Sequence, residues 1–360
     1  MNVLYYMEPE LHAGSLGGGV SMVAYNLTKA LARQVSITFF PSYKVSPQRY
    51  AFNLLKVYSR FALRDFKVIH FNFSPVSNNG SYMMLRLAKT TGAKTIMNIH
   101  GIIQAEYLLD PRTGKFKSAM EKTLMDTLRA CKSVGQIVTY SEFMRKQIVN
   151  WYGVNHEKIA VIPNGVNLKK FSDCTGNLLL EGDPSILYVG YLSKFKSVDL
   201  LIYAISKLRS RLPNMKLHIV GHGNQTALAT LAREKQVENI VVFHGQANPE
   251  MVPLYYRSAD FCVFPSTRDS AGLTLLEAMA SGAPVIASNR GGTPEIITQG
   301  ENGVLFEPDD SSSLPEAILL LSQNSDLKKK LSSNALKTAT RYSWEKIAEK
   351  YVCLYKSLHE

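Results

Sequence analysis

The stretch "ADFCVFPSTRDSAGLTLLEAMASGAPVIAS", residues 259 to 288, holds two short apolar runs, "FCVFPS" and "APVIAS", with a helical pattern between them. An uninterrupted apolar run suits a strand buried on both faces, and a strand–helix–strand unit returns its second strand parallel to the first. The same alternation runs through the chain. "NVLYYM", "VSITFF", "KVIHFNF", "AKTIMNIH" and "GQIVTYS" form one series; "SILYVGYL", "MKLHIVG", "IVVFHG", "FCVFPS" and "APVIAS" form a second. Two such series predict an α/β chain of two doubly wound, Rossmann-like domains. They meet in "PNGVNLKKFSDCTGNLLLEGDPS", residues 163 to 185, which is rich in turn formers and poor in periodic pattern, so the hinge is expected there.

The expected domains are residues 1–167 and 168–341. The terminal run "YSWEKIAEKYVCLYKSLHE", residues 342–360, carries Trp344, Ile347, Tyr351 and Leu354 at helical spacing. That stripe needs a surface to cover it, and a helix returning to the first domain would provide one.

With 360 residues and 46% hydrophobic content the chain can bury two cores. The first residues lack the basic segment of a secretory signal, and no apolar run reaches the roughly 18 residues of a membrane span. Cys131, Cys174, Cys262 and Cys353 are widely spaced with no C-x-x-C pair, which speaks against a disulfide framework or a zinc site. A cytoplasmic protein is the expectation. The net charge of +12 is uneven: residues 1–165 hold 20 Lys and Arg against 9 Asp and Glu, whereas residues 166–360 hold 21 against 20. The first half is therefore expected to meet something anionic.

Several loops are candidates for chemistry. The glycine run in "HAGSLGGGVSMVAYNLTKAL", residues 12 to 31, follows a strand and opens a helix; it is either a flexible turn or an anion cradle. "GHGNQT", residues 221 to 226, lacks the third glycine of a dinucleotide fingerprint and reads as an ordinary turn. Asp269 falls in a strand-to-helix loop, at the edge of a parallel sheet where ligands bind, and Glu277 lies about one and a half turns inside the helix. They either offset the helix dipole or accept hydrogen bonds from sugar hydroxyls while amides near Gly272 take a phosphate. "ASNRGGTPEI", residues 287 to 296, is expected to offer further amides at the same edge. His100 ends a strand of the first series, as a structural residue or as part of a site.

Taken together and in order, "GGGV", "NIHG", "VIPNGVNLKKF", "YVGYLSKFKSVDLLIYA", the stretch 259–288, "GGTPEI" and the terminal "YSW" helix resemble the retaining nucleotide-sugar glycosyltransferases of family 4. The resemblance covers essentially the whole chain. It implies the GT-B fold, two Rossmann-like domains facing each other across a cleft, with a nucleotide-sugar donor held mainly by the second and a glycan acceptor approached by the first. By position, Gly18 and Gly19 would bring amides to the donor diphosphate, His100 would contact the transferred sugar, and Lys196 would neutralise the diphosphate. Asp269 and Glu277 match the family's E-x7-E pair, the first facing sugar hydroxyls and the second the ribose. Gly190, Tyr191 and Ala271 join the donor set, and Gly272 and Leu273 would supply amides. His100, Lys196 and Asp269 form the implied catalytic group. No D-x-D cluster offers a divalent site, and the resemblance likewise implies that no metal or other cofactor is needed. Configuration is expected to be retained by front-face attack, with the departing phosphate oxygen taking the acceptor proton.

The chain departs from the family pattern G-R-L-x-x-x-K-G in "GYLSKFKS". Tyr191 replaces an arginine, one neutral donor in place of five charged ones, and Ser197 replaces a glycine. Lys194 is an alternative source of the lost charge. Asp269 stands for the first glutamate with one methylene less reach.

In "RYAFNLLKVYSRFALRDFK", residues 49 to 67, Ala51, Leu54, Leu55, Tyr58 and Ala62 share one helical face and Lys56, Arg60 and Arg64 another. This is either an interfacial helix for an anionic membrane surface or a sheet-covering helix with a solvated basic face. The first reading makes the acceptor lipid-linked or membrane-associated and the enzyme peripheral to the inner membrane face. Competing classes are a non-catalytic nucleotide-sugar or glycan-binding protein, a nucleotide-sugar epimerase, and a glycan phosphorylase. No nucleic-acid motif is present, so nucleic acid is not an expected partner.

Overall fold

Strand β7, Ser185–Val189, shows why the sheets are parallel: Ile186 and Tyr188 enter one buried cluster and Leu187 and Val189 another, so both faces are covered. The computed structural model describes residues 1–7, 19–41, 66–73, 85–86, 88–101, 118–176, 178–270 and 272–359. Gly18, Ala271 and the basic side chains Lys56, Arg60 and Arg64 lie outside these residues, as do the apolar positions Ala51 to Ala62.

The chain divides into two compact units, residues 1–165 with 344–360, and residues 166–343. Each crossing lies two residues from the expected boundary, because Val166 pairs its backbone with the returning strand of chain, its N–H donating to Tyr342 O at 2.8 Å. In the first unit the strands are β1 (Asn2–Met7), β2 (Ser36–Pro41), β3 (Val68–Phe73), β4 (Lys94–Ile99), β5 (Gln136–Thr139) and β6 (Ile159–Val161), in the order β2-β1-β3-β4-β5-β6. In the second, β7 is followed by β8 (Lys216–Val220), β9 (Val241–Gly245), β10 (Phe261–Phe264), β11 (Val285–Ser288) and β12 (Val304–Phe306), in the order β12-β11-β10-β7-β8-β9. Every strand pair is parallel. Counted within its unit, the second order is 3-2-1-4-5-6, the doubly wound order of dinucleotide-binding domains. Strands β6 and β12, three residues each, escaped the sequence reading because so short a run carries no pattern of its own.

The terminal helix Trp344–Ser357 belongs to the first unit and packs against the helix Gly19–Leu31. Its buried face is Trp344, Ile347, Ala348, Tyr351, Val352 and Tyr355; the expected Leu354 is only half-buried, and Tyr355 takes its place one position on. Two tyrosines on this face reach polar groups of the sheet. Tyr351 Oη donates to Asn98 Oδ1 at 3.1 Å, and Tyr355 Oη lies 2.6 Å from His70 Nδ1. Gly165 lets the chain pass over the indole: an added Cβ there would sit 2.4 Å from Trp344. No helix among the described residues is long and apolar enough to cross a membrane.

Candidate functional site

In the second unit the strand order reverses between β7 and β10, so their carboxyl ends flank the crevice where doubly wound sheets bind ligands. The loop after β7 carries Gly190, Tyr191 and Lys196; the loop after β10 carries Asp269 and leads to Gly272. The residues the sequence assigned to the donor in this unit thus come from two loops, and from the helix that follows the second, beside one topological switch.

The first loop is fixed by its own backbone. Gly190 N–H donates to Val220 O at 3.0 Å, Leu192 N–H to His222 O at 2.8 Å, and Asn224 N–H to Leu192 O at 3.0 Å. Gly221 and Gly223 of the "GHGN" turn have φ of 148° and 134°, and a Cβ on either would strike the carbonyl of Gly190 or Leu192. That turn therefore holds the loop in place. Gly190's amide is thus engaged by the sheet. Tyr191 is half exposed, with its ring edge-on to His222 at 4.9 Å between centroids. Its carbonyl accepts from Tyr188 Oη at 3.1 Å.

A short 3₁₀ turn, Lys194–Lys196, then swings Lys196 toward the second loop. Lys196 Nζ donates to Asp269 Oδ2 at 2.5 Å, with both side chains partly buried. Ser266 Oγ donates to Phe195 O at 3.1 Å and Ser197 Oγ lies 3.4 Å from Thr267 Oγ1, so the two loops are tied on either side of the ion pair. Ser197 has φ 50° and ψ 39°, the left-handed conformation that glycine would adopt without penalty.

The second glycine-rich turn engages one of its amides inside the protein. Gly292 N–H donates to Asp269 O at 2.8 Å, and a Cβ on Gly291, whose φ is 67°, would lie against that same carbonyl. This turn therefore clamps the backbone of Asp269. The Gly292 amide is used there and is not offered to a ligand.

Gly272 adopts φ 54° and caps the helix Leu273–Ala280, whose N-terminus receives no side-chain cap. Glu277, on its second turn, accepts from Tyr256 Oη at 3.4 Å. Burial pushes the Glu277 carboxyl up to about 7, against the opposing pull of the Tyr256 hydroxyl and of Lys170. Tyr256, on the helix Val252–Ser258, and Lys170, on the helix Leu168–Ser172, were not singled out in the sequence; Lys170 lies within "VIPNGVNLKKF", but nothing in either residue's local pattern points to Glu277.

In the first unit His100 follows β4. Its Nε2 lies 2.6 Å from Asn72 Oδ1, and Tyr140 Oη lies 2.9 Å from Nδ1 and 3.0 Å from Nε2. Burial, reinforced by nearby His70, lowers the imidazole to about 3, so the ring is neutral. Gly19 is the first residue of the helix Gly19–Leu31, and among the described residues nothing lies within 4 Å of where its Cβ would stand.

Comparison with known proteins bears on the family and the fold. The model of glycosyl transferases group 1 matches residues 175–338, and that of glycosyltransferase family 4 matches residues 33–170. An uncharacterized glycosyltransferase of Methanocaldococcus jannaschii is 31% identical over 64% of this chain and 61% of its own length. A D-inositol 3-phosphate glycosyltransferase of Streptomyces bingchenggensis is 30% identical over 59% of this chain and 50% of its own. The matches thus span only about half to three-fifths of these relatives. Among solved structures, sucrose-phosphate synthase of Thermosynechococcus elongatus superposes with a TM-score of 0.76 at 21% identity, covering 99% of this chain and 98% of that one. HepE of Anabaena, solved with UDP-glucose, gives 0.73 at 18%, covering 99% and 100%. With both halves matched by consecutive family models and the whole chain by structures of the same two-domain architecture, this protein belongs to the group 1 glycosyltransferases of family 4, on the GT-B fold.

Proposed function

We propose that the chain is a retaining, metal-independent hexosyltransferase that moves a sugar from a nucleotide-sugar donor to a hydroxyl of a lipid-linked or membrane-associated glycan. The observation that carries this reading is the Lys196–Asp269 pair at the switch between β7 and β10. A carboxylate alone would repel a diphosphate; paired with a lysine it leaves the site electrostatically receptive.

In this reading Lys196 turns from Asp269 to the diphosphate as the donor enters, and Asp269 accepts from a sugar hydroxyl. The amides of Gly272 and Leu273 at the uncapped helix end meet phosphate oxygens, with Ala271 beside them. Glu277 accepts from the ribose in its ionised form. Gly18 and Gly19 approach the diphosphate by backbone, and His100 meets the transferred sugar. Cleavage leaves a dianionic diphosphate and an oxocarbenium-like sugar, so stabilising the leaving group is the main task. The departing phosphate oxygen takes the acceptor proton, and no side chain is assigned as general base. Tyr191 supplies one neutral hydroxyl where the family pattern has a guanidinium. Retained turnover in EDTA, and an α product from an α-configured donor, are the expected signs of this chemistry.

A thermal-shift panel of UDP-, GDP- and ADP-sugars identifies the donor, since a ligand bound only by the native state raises its apparent stability. A solved relative of this fold was crystallised with UDP-glucose, so UDP-sugars come first. Nucleoside diphosphate release with acceptor present then tests transfer. Binding without release under any acceptor would favour a non-catalytic nucleotide-sugar-binding protein, the reading that Tyr191 by itself supports. For the membrane surface and the peripheral, cytoplasmic-face placement, the support is the basic first half. Flotation with anionic vesicles but not neutral ones, lost at high salt, is the expected result.

A further inference from the structure

We propose that Asn72 and Tyr140 are positioning residues for His100, fixing its Nε2–H tautomer and the plane of its ring at the carboxyl edge of the first sheet. The tautomer rests on the Asn72 amide turning its oxygen toward the ring; its consequence for sugar transfer rests on the function proposed above. Three neighbouring strands bring these residues together. Asn72 on β3 stands opposite Asn98 on β4, and Asn98 stands opposite Val138 on β5. His100 and Tyr140 each follow two residues after those partners. Since side chains alternate along a strand, all three project on one side.

Asn72 and Tyr140 are almost fully buried, 7% and 5% exposed, so their polar groups are held to partners rather than to solvent. Asn72 Oδ1 can only accept, which puts the imidazole proton on Nε2, 2.6 Å away. The Tyr140 hydroxyl lies 2.9 Å from Nδ1 and 3.0 Å from Nε2; with Nε2 carrying the proton, Nδ1 is the nitrogen left to accept from it. Burial keeps that hydroxyl protonated over the whole working pH range, so it remains a donor. The rings meet at 45° with centroids 5.0 Å apart, which fixes the tilt of the imidazole as well as its tautomer. A neutral ring matters to the reaction: an imidazolium here would oppose the positive charge that develops on the transferred sugar. The tautomer of a catalytic-site histidine is set by the hydrogen bonds its ring nitrogens make.

Long-range 1H–15N correlation of the full-length protein labelled at histidine, with His100→Gln used to assign the signal, reads the tautomer directly. The expected wild-type pattern is a protonated Nε2 and an unprotonated Nδ1, unchanged between pH 5 and 8. Asn72→Ala and Tyr140→Phe should each give mixed tautomers, and kcat/KM should fall roughly ten- to hundredfold, mostly in kcat, as when the partner orienting a ligating histidine is lost. Asn72→Asp retains an acceptor, so it should restore the protonated Nε2 while raising the pH at which the ring takes a second proton. An Nδ1–H pattern in the wild type, or a pattern unmoved in both Asn72→Ala and Tyr140→Phe, overturns the proposal. The wild-type spectrum needs no variant to fold. Absence of transfer with every sugar would sink the functional reading and leave the tautomer result standing.

Discussion

Lys196 and Asp269 sit 2.5 Å apart with 30% and 21% of their side chains exposed, so water screens much of their attraction. A pair of this kind contributes about 1 kcal/mol or less to folding. In the proposed reaction the same lysine faces a diphosphate that gains charge as the bond breaks, and there it is worth far more. Lys196→Ala is therefore expected to lower kcat by roughly 10²–10³, the loss typical of removing one donor from a developing anion, while the melting temperature moves little. Equal falls in turnover and stability would place the lysine in the scaffold instead. At Glu277 the fold raises the carboxyl to about 7 from an ordinary 4.5. The native state thus holds a proton that the unfolded chain has lost between those values, and this residue's contribution to stability declines as pH rises through 7. Under the proposed function donor affinity runs the other way, because the ionised carboxylate is the form assigned to accept from the ribose. Calorimetric affinity for the nucleotide-sugar should climb about tenfold from pH 6 to 8, the span over which such a group goes from about one-tenth to nine-tenths ionised, and Glu277→Gln should flatten the climb. A wild-type profile already flat would remove Glu277 from the donor site.

The loops after β7, β10 and β11 act together, and here the sequence was a partial guide. The strand–loop–helix rhythm placed Asp269 at the carboxyl edge and the helix start at Gly272, because burial of both strand faces and a left-handed glycine leave direct marks in the residues. The clamp on Asp269 left none. "RGGT" after a strand reads as an amide cradle, and only the fold shows the Gly292 N–H turned toward a carbonyl one helix and one strand earlier in the chain. Likewise the glycines of "GHGN" mark a close approach without naming the loop approached. Gly291→Ala tests the clamp: the left-handed φ and the contact with the Asp269 carbonyl should together cost about 1–3 kcal/mol and displace Asp269, so donor affinity falls with stability. Ser197→Gly goes the other way. It relieves a left-handed serine whose backbone strain is of order 1 kcal/mol, partly offset by glycine's greater freedom when unfolded, so a small rise in melting temperature is expected. An unchanged affinity in Gly291→Ala would separate the turn from the site.

The chain leaves its first unit at Gly165 and re-enters it at Trp344, so the first unit's stability depends on the last seventeen residues. Helical spacing made this return legible, since Trp344, Ile347 and Tyr351 form a stripe too apolar for water; the tyrosine hydroxyls that meet Asn98 and His70 were not, because their partners lie some 250 and 285 positions away. The arrangement has a thermodynamic consequence. Ile347 is fully buried on the face shared with the helix Gly19–Leu31, so truncating it removes apolar contact and leaves a cavity in the first unit alone. Ile347→Ala is expected to cost about 2–5 kcal/mol there. In a calorimetric scan of the full chain, an unfolding step belonging to the first unit should move to lower temperature, while the step stabilised by nucleoside diphosphate should stay where it is. A ligand held mainly by the second unit, as proposed, raises that unit's transition most and so labels the steps without truncating the protein. If both steps fell together by the same amount, the two units would be unfolding as one cooperative body, and the terminal helix would be a tie for the whole chain.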